Sequence, residues 1–230
     1  LHPVSLEKSR GILITGPFMI HTLYEISKKE GVDFVTATGD ENPIHREGDI
    51  VPGAMTSARA ISGIESMFPL LDVNRFKIKF KSIARYDQVM RQQLSFSFPG
   101  DGQVAVNVRT EQQGEEVATG MIQGTLKHSD ALPNIRKRKV NKEELQRVEV
   151  YFRSLNIDPA LFLKPCGRQN YVYPRGFLAS LPSGEMVRQF SGEGGILSSL
   201  ELGYQDGVLP PITGNRIPRV SLKTARSRPR

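Results

Sequence analysis

The sequence predicts an α+β protein in which an antiparallel sheet wraps a buried helix, and three observations carry that prediction. Pro52–Phe68 combines the small residues Gly53, Ala54, Ala58, Ala60 and Gly63 with Met55, Ile61, Ile64 and Met67, and holds almost no charge. A helix that apolar on most sides is buried. The segments that follow alternate with period two: Arg75–Ser82 through Phe76, Ile78 and Phe80, Val89–Phe98 through Leu94, Phe96 and Phe98, then Val104–Thr110 and Val117–Leu126. Such runs, with a Pro99-Gly-Asp-Gly102 turn between the second and third, read as consecutive antiparallel strands. Third, Pro174–Phe190 parallels Pro52–Phe68, with Ser183-Gly184 set against Ser62-Gly63, so the order recurs in a weaker form.

The remaining elements follow in chain order. Met19, Leu23 and Ile26 lie near helical spacing, so Phe18–Lys29 reads as a helix, and Asp33–Thr38 as another. Gly39–Asp49 is a polar loop. Asn141–Leu155 is a helix, with Asn141 three residues before Glu144 as a capping pair. Pro182 is expected to kink or end the second long helix, because proline removes a helical hydrogen bond and crowds the preceding turn. Only Ile196–Gly203 and Val208–Val220 remain as strands there, which leaves the second unit short of strands. The division expected is a catalytic unit over 1–127, a basic linker over 128–140, and a degenerate second unit with a basic tail over 141–230.

Composition narrows the function. The 230 residues are 38% hydrophobic and 24% charged, enough for a sizeable core. No stretch approaches 18 consecutive apolar residues, which argues against a membrane span. The first ten residues lack the pattern of a secretory signal, so a cytoplasmic location is expected. A single cysteine, Cys166, has no Cys or His at ligand spacing, which argues against zinc and disulfide scaffolds. The net charge of +7 is uneven: residues 131–230 carry +9 and residues 1–130 carry −2. Arg136–Lys139 and the run from Lys223 to Arg230 could meet phosphates on nucleic acid, an acidic carrier protein or a coenzyme, or could equally be a solvated linker and tail. Nucleic acid is disfavoured, because neither zinc-finger spacing nor an aromatic RNA-binding run is present.

Chemistry is concentrated in Phe34-Val-Thr-Ala-Thr-Gly-Asp-Glu-Asn-Pro-Ile-His45. A turn containing Asn42-Pro43 can bring Asp40 and His45 to bear on one water, and a carboxylate beside an imidazole suits proton transfer near neutral pH. An Asx-Pro surface turn beside an unrelated histidine has the same spacing. Val51-Pro52-Gly53 then opens the buried helix. A glycine at a helix N-terminus exposes its amide and lets an oxygen approach closely, so Gly53 could polarise a carbonyl; it could also simply start the helix.

The run Ala37-Thr-Gly-Asp-Glu-Asn-Pro-Ile-His45, preceded by Phe34 and followed by the helix at Gly53, resembles the signature of the MaoC-like hydratases, also called hydratase 2 or (R)-specific enoyl hydratases. The resemblance implies a hot-dog fold, here a double one with a degenerate second unit. It implies a hydro-lyase that adds or removes water across C2–C3 of an acyl thioester. Coenzyme A or the phosphopantetheine of an acyl carrier protein would be the substrate carrier, with no metal and no other cofactor. Carried over, Asp40 and His45 are the catalytic pair, Asn42 supports the loop, the Gly53 N–H is the oxyanion donor, and Ser62 matches a serine near the site. Departures are equally plain. Only Arg46–Val51 separate His45 from Pro52, shorter than in the family, and Pro52 replaces a histidine. Asn156-Ile-Asp158-Pro159 resembles the loop, but no histidine follows and Phe162 stands where a polar group is wanted. One active site per chain is therefore expected, with a homodimer or a partner hot-dog subunit as the associated state. The alternative is a non-catalytic acyl-thioester-binding or assembly subunit.

Overall fold

Alternating burial turns residues 71–126 into four strands, β2 (Leu71–Phe80), β3 (Met90–Gly100), β4 (Gln103–Gln112) and β5 (Glu115–Leu126), with β1 (Phe18–Tyr24) before them and β6 (Ser199–Gly203) after. A computed structural model describes residues 18–68, 71–126, 140–161, 172–189, 198–203 and 212. The six strands form one sheet in the order β1-β3-β4-β5-β2-β6, every pair antiparallel. Its inner face carries Val73, Phe76, Ile78, Leu94, Phe96, Val106, Val108 and Ile122, all buried. The β3–β4 and β4–β5 turns each have two residues, Asp101-Gly102 and Gln113-Gly114, all at positive φ. That twist matches the right-handed twist of paired strands.

Helix α3 (Gly53–Met67) lies across the inner face as the apolar pattern predicts, with Ala54, Met55, Ala58, Ala60, Ile61 and Ile64 buried. The other helices are α1 (Lys28–Thr38), the one-turn α2 (Pro43–Arg46), α4 (Lys142–Ser154) and α5 (Arg175–Gln189), with a 3-10 turn at Pro159–Leu161. Helix α4 packs on α1, α5 packs on α3, and β6 joins the sheet beside β2. The second segment thus shares the core of the first. At α4, Asn141 caps as expected, its Oδ1 accepting from the amides of Glu143 and Glu144 at 3.1 and 3.3 Å. Glu144 turns away, accepting from the Tyr173 hydroxyl at 3.0 Å.

One expectation is corrected and another is narrowed. Phe18–Lys29 is not one helix: Phe18–Tyr24 is a strand and α1 begins at Lys28. Cross-strand pairing overrides the helical spacing of Met19, Leu23 and Ile26, because Phe18 pairs with Phe96 and stacks on it with ring centroids 4.3 Å apart. Helix α1 starts where Ser27 and Glu30 complete a capping box, with Ser27 Oγ accepting the Glu30 amide at 3.2 Å and the Ser27 amide donating to Glu30 at 2.7 Å. Of the two outcomes expected at Pro182, a kink or an end, the end does not occur; α5 runs through it to Gln189. Packing offsets the missing hydrogen bond, since most of α5 is buried and Phe177 meets Tyr151 edge-on and Tyr173 face-on at 5.2 and 5.7 Å. Residues 127–139, which include most of the basic linker, and Phe162, Cys166 and the basic tail lie outside the described residues.

Arg175, at the start of α5, bridges Glu65 on α3 and Asp72 on β2, with 3.7 Å to Glu65. Burial pushes the Glu65 carboxyl up to about 7, against the lowering pull of Arg175. Between pH 4.5 and about 7 the folded chain therefore holds a proton that the unfolded chain releases, and stability declines as pH rises through that window. Glu65→Gln is expected to flatten this slope. Unfolding free energies measured across the window check it; an unchanged slope assigns the dependence to another group.

Candidate active site

Local chemistry shapes the loop that carries Asp40 and His45. Helix α1 stops at Gly39, whose φ of 75° is left-handed, and α2 starts immediately afterwards. Asn42 caps α2 by accepting the Ile44 amide at 3.2 Å, and Pro43 supplies its preset first turn. Asp40 is held between them with no exposed surface. Its Oδ1 accepts the Asn42 amide at 3.2 Å, and its Oδ2 accepts the hydroxyl of Ser183 on α5.

His45 is 8% exposed, and its Nδ1 sits 2.8 Å from the Ile50 carbonyl. A carbonyl only accepts, so Nδ1 carries a proton, and whenever the ring is neutral its lone pair is on Nε2. The main chain is pinned too: the His45 carbonyl accepts from the Tyr86 hydroxyl at 3.0 Å and from Lys28 Nζ at 3.1 Å. Tyr86 fits against Gly31, where a Cβ would lie 2.2 Å from its ring. Burial raises the Tyr86 phenol well above its ordinary value, and Asp40 and Asp49 add to the shift, so it stays a donor.

Gly53 opens α3, whose N-terminus has no side-chain cap. The approach to it is fixed, because the Val51 amide donates to the Ala84 carbonyl at 2.9 Å and Ile50 bridges to Arg85. His45, Asn42, Gly53, Thr56 and Ser183 line one open cleft, whose apolar walls include Phe80, Ile83, Val117, Met186 and Val187. A polar corner against an apolar wall suits a carbonyl compound with a hydrocarbon arm. Among the described residues no group of three His, Cys, Asp or Glu side chains is placed to hold a metal ion, and no helix is long and apolar enough to cross a membrane.

The sequence-predicted residues divide accordingly. Asp40, Asn42, His45 and Gly53 come together at this corner, with Asp40 just behind the cleft wall. Ser62 does not reach it: fully buried, it meets the Tyr151 hydroxyl at 3.1 Å and packs where α5 crosses α3 at Gly176. The hydroxyl on Asp40 belongs instead to Ser183, the counterpart of Ser62 in the internal repeat. That repeat was the signal available, and it points across the pair of units. A second missed residue is Arg147 on α4, whose Nε donates to the Ala37 carbonyl near the end of α1. Ser183→Ala is expected to leave a buried carboxylate oxygen short of a donor, costing about 1–3 kcal/mol of stability, and to slow any reaction that uses Asp40. Denaturant unfolding and turnover measured together check both.

A long helix wrapped by an antiparallel sheet is the hot-dog fold, and the solved structures that this chain is similar to share it. Among solved structures the chain is similar to a MaoC-like dehydratase at 10% identity, covering 81% of each chain with a TM-score of 0.60. It is also similar to HtdX of Mycobacterium tuberculosis, at 10% identity over 75% of this chain and 77% of that one, TM-score 0.54. Peroxisomal multifunctional enzyme type 2 from Drosophila melanogaster is matched at 12% identity over 84% of this chain and 41% of that one, TM-score 0.56. No protein-family model matches the sequence, and no curated protein matches it significantly.

Proposed function

We propose that the protein is an (R)-specific enoyl-thioester hydratase, or in reverse a 3-hydroxyacyl-thioester dehydratase. The observation that carries this reading is the 2.8 Å contact of His45 Nδ1 with the Ile50 carbonyl: a carbonyl only accepts, so in the neutral ring the lone pair falls on Nε2, on a residue that lines the cleft with the uncapped start of α3. In hydration, water held between Asp40 and His45 adds its oxygen to C3 and gives up a proton to this pair. The C2–C3 electrons move towards the thioester oxygen, where the Gly53 N–H stabilises the enolate-like charge, an effect commonly worth about 3 kcal/mol for one donor. A proton then returns to C2, completing net addition of water. A carboxylate offers about four acceptor sites, so Asp40 can hold Asn42 and Ser183 and still accept from a water.

Coenzyme A or a carrier-protein phosphopantetheine carries the acyl group, and the cytoplasm is the setting. A homodimer or a partner hot-dog subunit would associate along β1 or β6, each of which has a described neighbour on one side only. One observation favours the non-catalytic reading, in which the cleft binds acyl thioesters without turning them over: Asp40 has no exposed surface and its Oδ2 is already engaged. The test is the enoyl absorbance of crotonyl-CoA and longer enoyl-CoAs mixed with the protein. Loss of absorbance supports hydration. Binding with no loss at any chain length overturns it in favour of the binding subunit.

A further inference from the structure

Thr56 lines the cleft, and among the described residues its buried hydroxyl has no hydrogen-bond partner. It is 2% exposed, on the first turn of α3. Helical Ser and Thr hydroxyls ordinarily bond back to the carbonyl three or four residues earlier. The neighbours on this chain do so: Ser57 donates to Ala54 at 2.9 Å, Ser66 to Gly63 at 2.8 Å, and Thr38 to Phe34 at 2.9 Å. The carbonyl four residues before Thr56 is that of Pro52, and it is occupied by the amides of Met55 at 2.9 Å and Thr56 at 3.4 Å. The Thr56 hydroxyl is thus left buried and without a hydrogen-bond partner, on a residue that lines the cleft.

Its place on the helix says what it would meet. Residues i and i+3 share a face, and helical side chains lean towards the N-terminus, over the preceding turn. Thr56 therefore leans over Gly53, whose amide opens the same uncapped turn. Two donors converging on one point suit an acceptor with two lone pairs, and a thioester carbonyl is such an atom. We infer that the Thr56 hydroxyl is a second hydrogen-bond donor to the acyl-thioester oxygen, working beside the Gly53 N–H; this rests on the acyl-thioester reading of the cleft. The hydroxyl donates its proton in the hydrogen bond and keeps it throughout, so no bond to Thr56 forms or breaks. Its contribution grows as charge moves onto the oxygen, and so falls mainly on kcat.

The test pairs Thr56→Val, which keeps the shape and removes the hydroxyl, with Thr56→Ser, which keeps the hydroxyl. Thr56→Val is expected to melt no lower than wild type, because the hydroxyl it removes has no partner, and to lose about 10- to 100-fold in kcat for crotonyl-CoA hydration with little change in KM. Thr56→Ser is expected to restore most of the rate. A second readout is the carbonyl stretch of bound butyryl-CoA, a saturated thioester that does not react: wild type and Thr56→Ser should lower its frequency more than Thr56→Val does. An unchanged stretch in Thr56→Val overturns the inference even where its rate falls, and an unchanged rate and stretch overturns it outright. Should wild type bind butyryl-CoA with a hydroxyl-dependent shift yet hydrate nothing, the hydratase reading fails and the Thr56 assignment stands. Absence of butyryl-CoA binding removes both.

Discussion

Asp40→Asn and His45→Ala should each leave a folded protein whose hydration of enoyl-CoA is reduced by about 10²- to 10⁴-fold, the range of a general acid–base contribution. The asparagine variant is the cleaner of the two. Asp40 accepts from the Asn42 amide on one oxygen and from the Ser183 hydroxyl on the other. An asparagine carboxamide keeps the first contact through its oxygen. Its NH₂ would meet Ser183, whose hydroxyl rotates and accepts instead, so each buried group retains a partner. What disappears is the negative charge and its capacity to take a proton. His45→Ala removes the cleft base and the Nδ1–H bond to Ile50 together, so a stability loss of a few kcal/mol can accompany the loss of rate. Turnover measured beside butyryl-CoA binding separates chemistry from affinity. Near-wild-type turnover in either variant would remove that residue from the mechanism, and lost binding without a change in kcat would make it a substrate clamp.

Gly184→Ala carries the largest expected effect away from the reacting atoms. A Cβ there would stand 2.5 Å from the Gly39 carbonyl oxygen, 2.7 Å from its carbon and 2.8 Å from the Thr38 oxygen. All three are backbone atoms, which cannot swing aside as a flexible side chain can. Either α5 retreats, pulling Ser183 from Asp40, or the Gly39–Asp40 turn shifts and carries the carboxylate with it. Overpacking of this kind costs about 1–3 kcal/mol, and turnover is expected to fall at least about tenfold, in line with what small misplacements near a reacting group cost. Gly63→Ala, at the equivalent place in the first unit, is the control: a Cβ there meets nothing within 4 Å. Replacing a mid-helix glycine by alanine gains up to about 1 kcal/mol, so Gly63→Ala should melt higher with activity intact. Equal behaviour of the two variants would show that α5 does not hold the Asp40 loop.

These expectations depend on features that differ in how they could be read. Helix α3 and strands β2 to β5 were legible because, for them, local period and burial coincide: Phe76 and Ile78 face the core two residues apart, and α3 is apolar nearly all round. The Asp40–His45 loop was legible for a similar reason, since Gly39, Asn42 and Pro43 act through their own backbone preferences. β1 was not. Met19, Leu23 and Ile26 imitate a helix, and only the pairing of Phe18 with Phe96 and of Tyr24 with Met90 on β3, far along the chain, decides otherwise. The structure places the true helix start at the Ser27-Glu30 capping box, a signal the helical spacing of Met19, Leu23 and Ile26 overran.

What the sequence determined by itself was therefore the set of short-range choices: a buried helix, a run of antiparallel strands, and a turn that places a carboxylate and an imidazole together beside a helix start. Which hydroxyl meets Asp40 was settled only by tertiary structure. Ser183 is 143 residues away from it in the chain, and the Ser62 motif on α3 faces Tyr151 instead. The reason is physical. A repeat shows that two helices are alike, but α5 packs on α3 at Gly176 and on the end of α1 at Gly184, which turns each helix's serine towards a different neighbour, and no local periodicity encodes those close contacts.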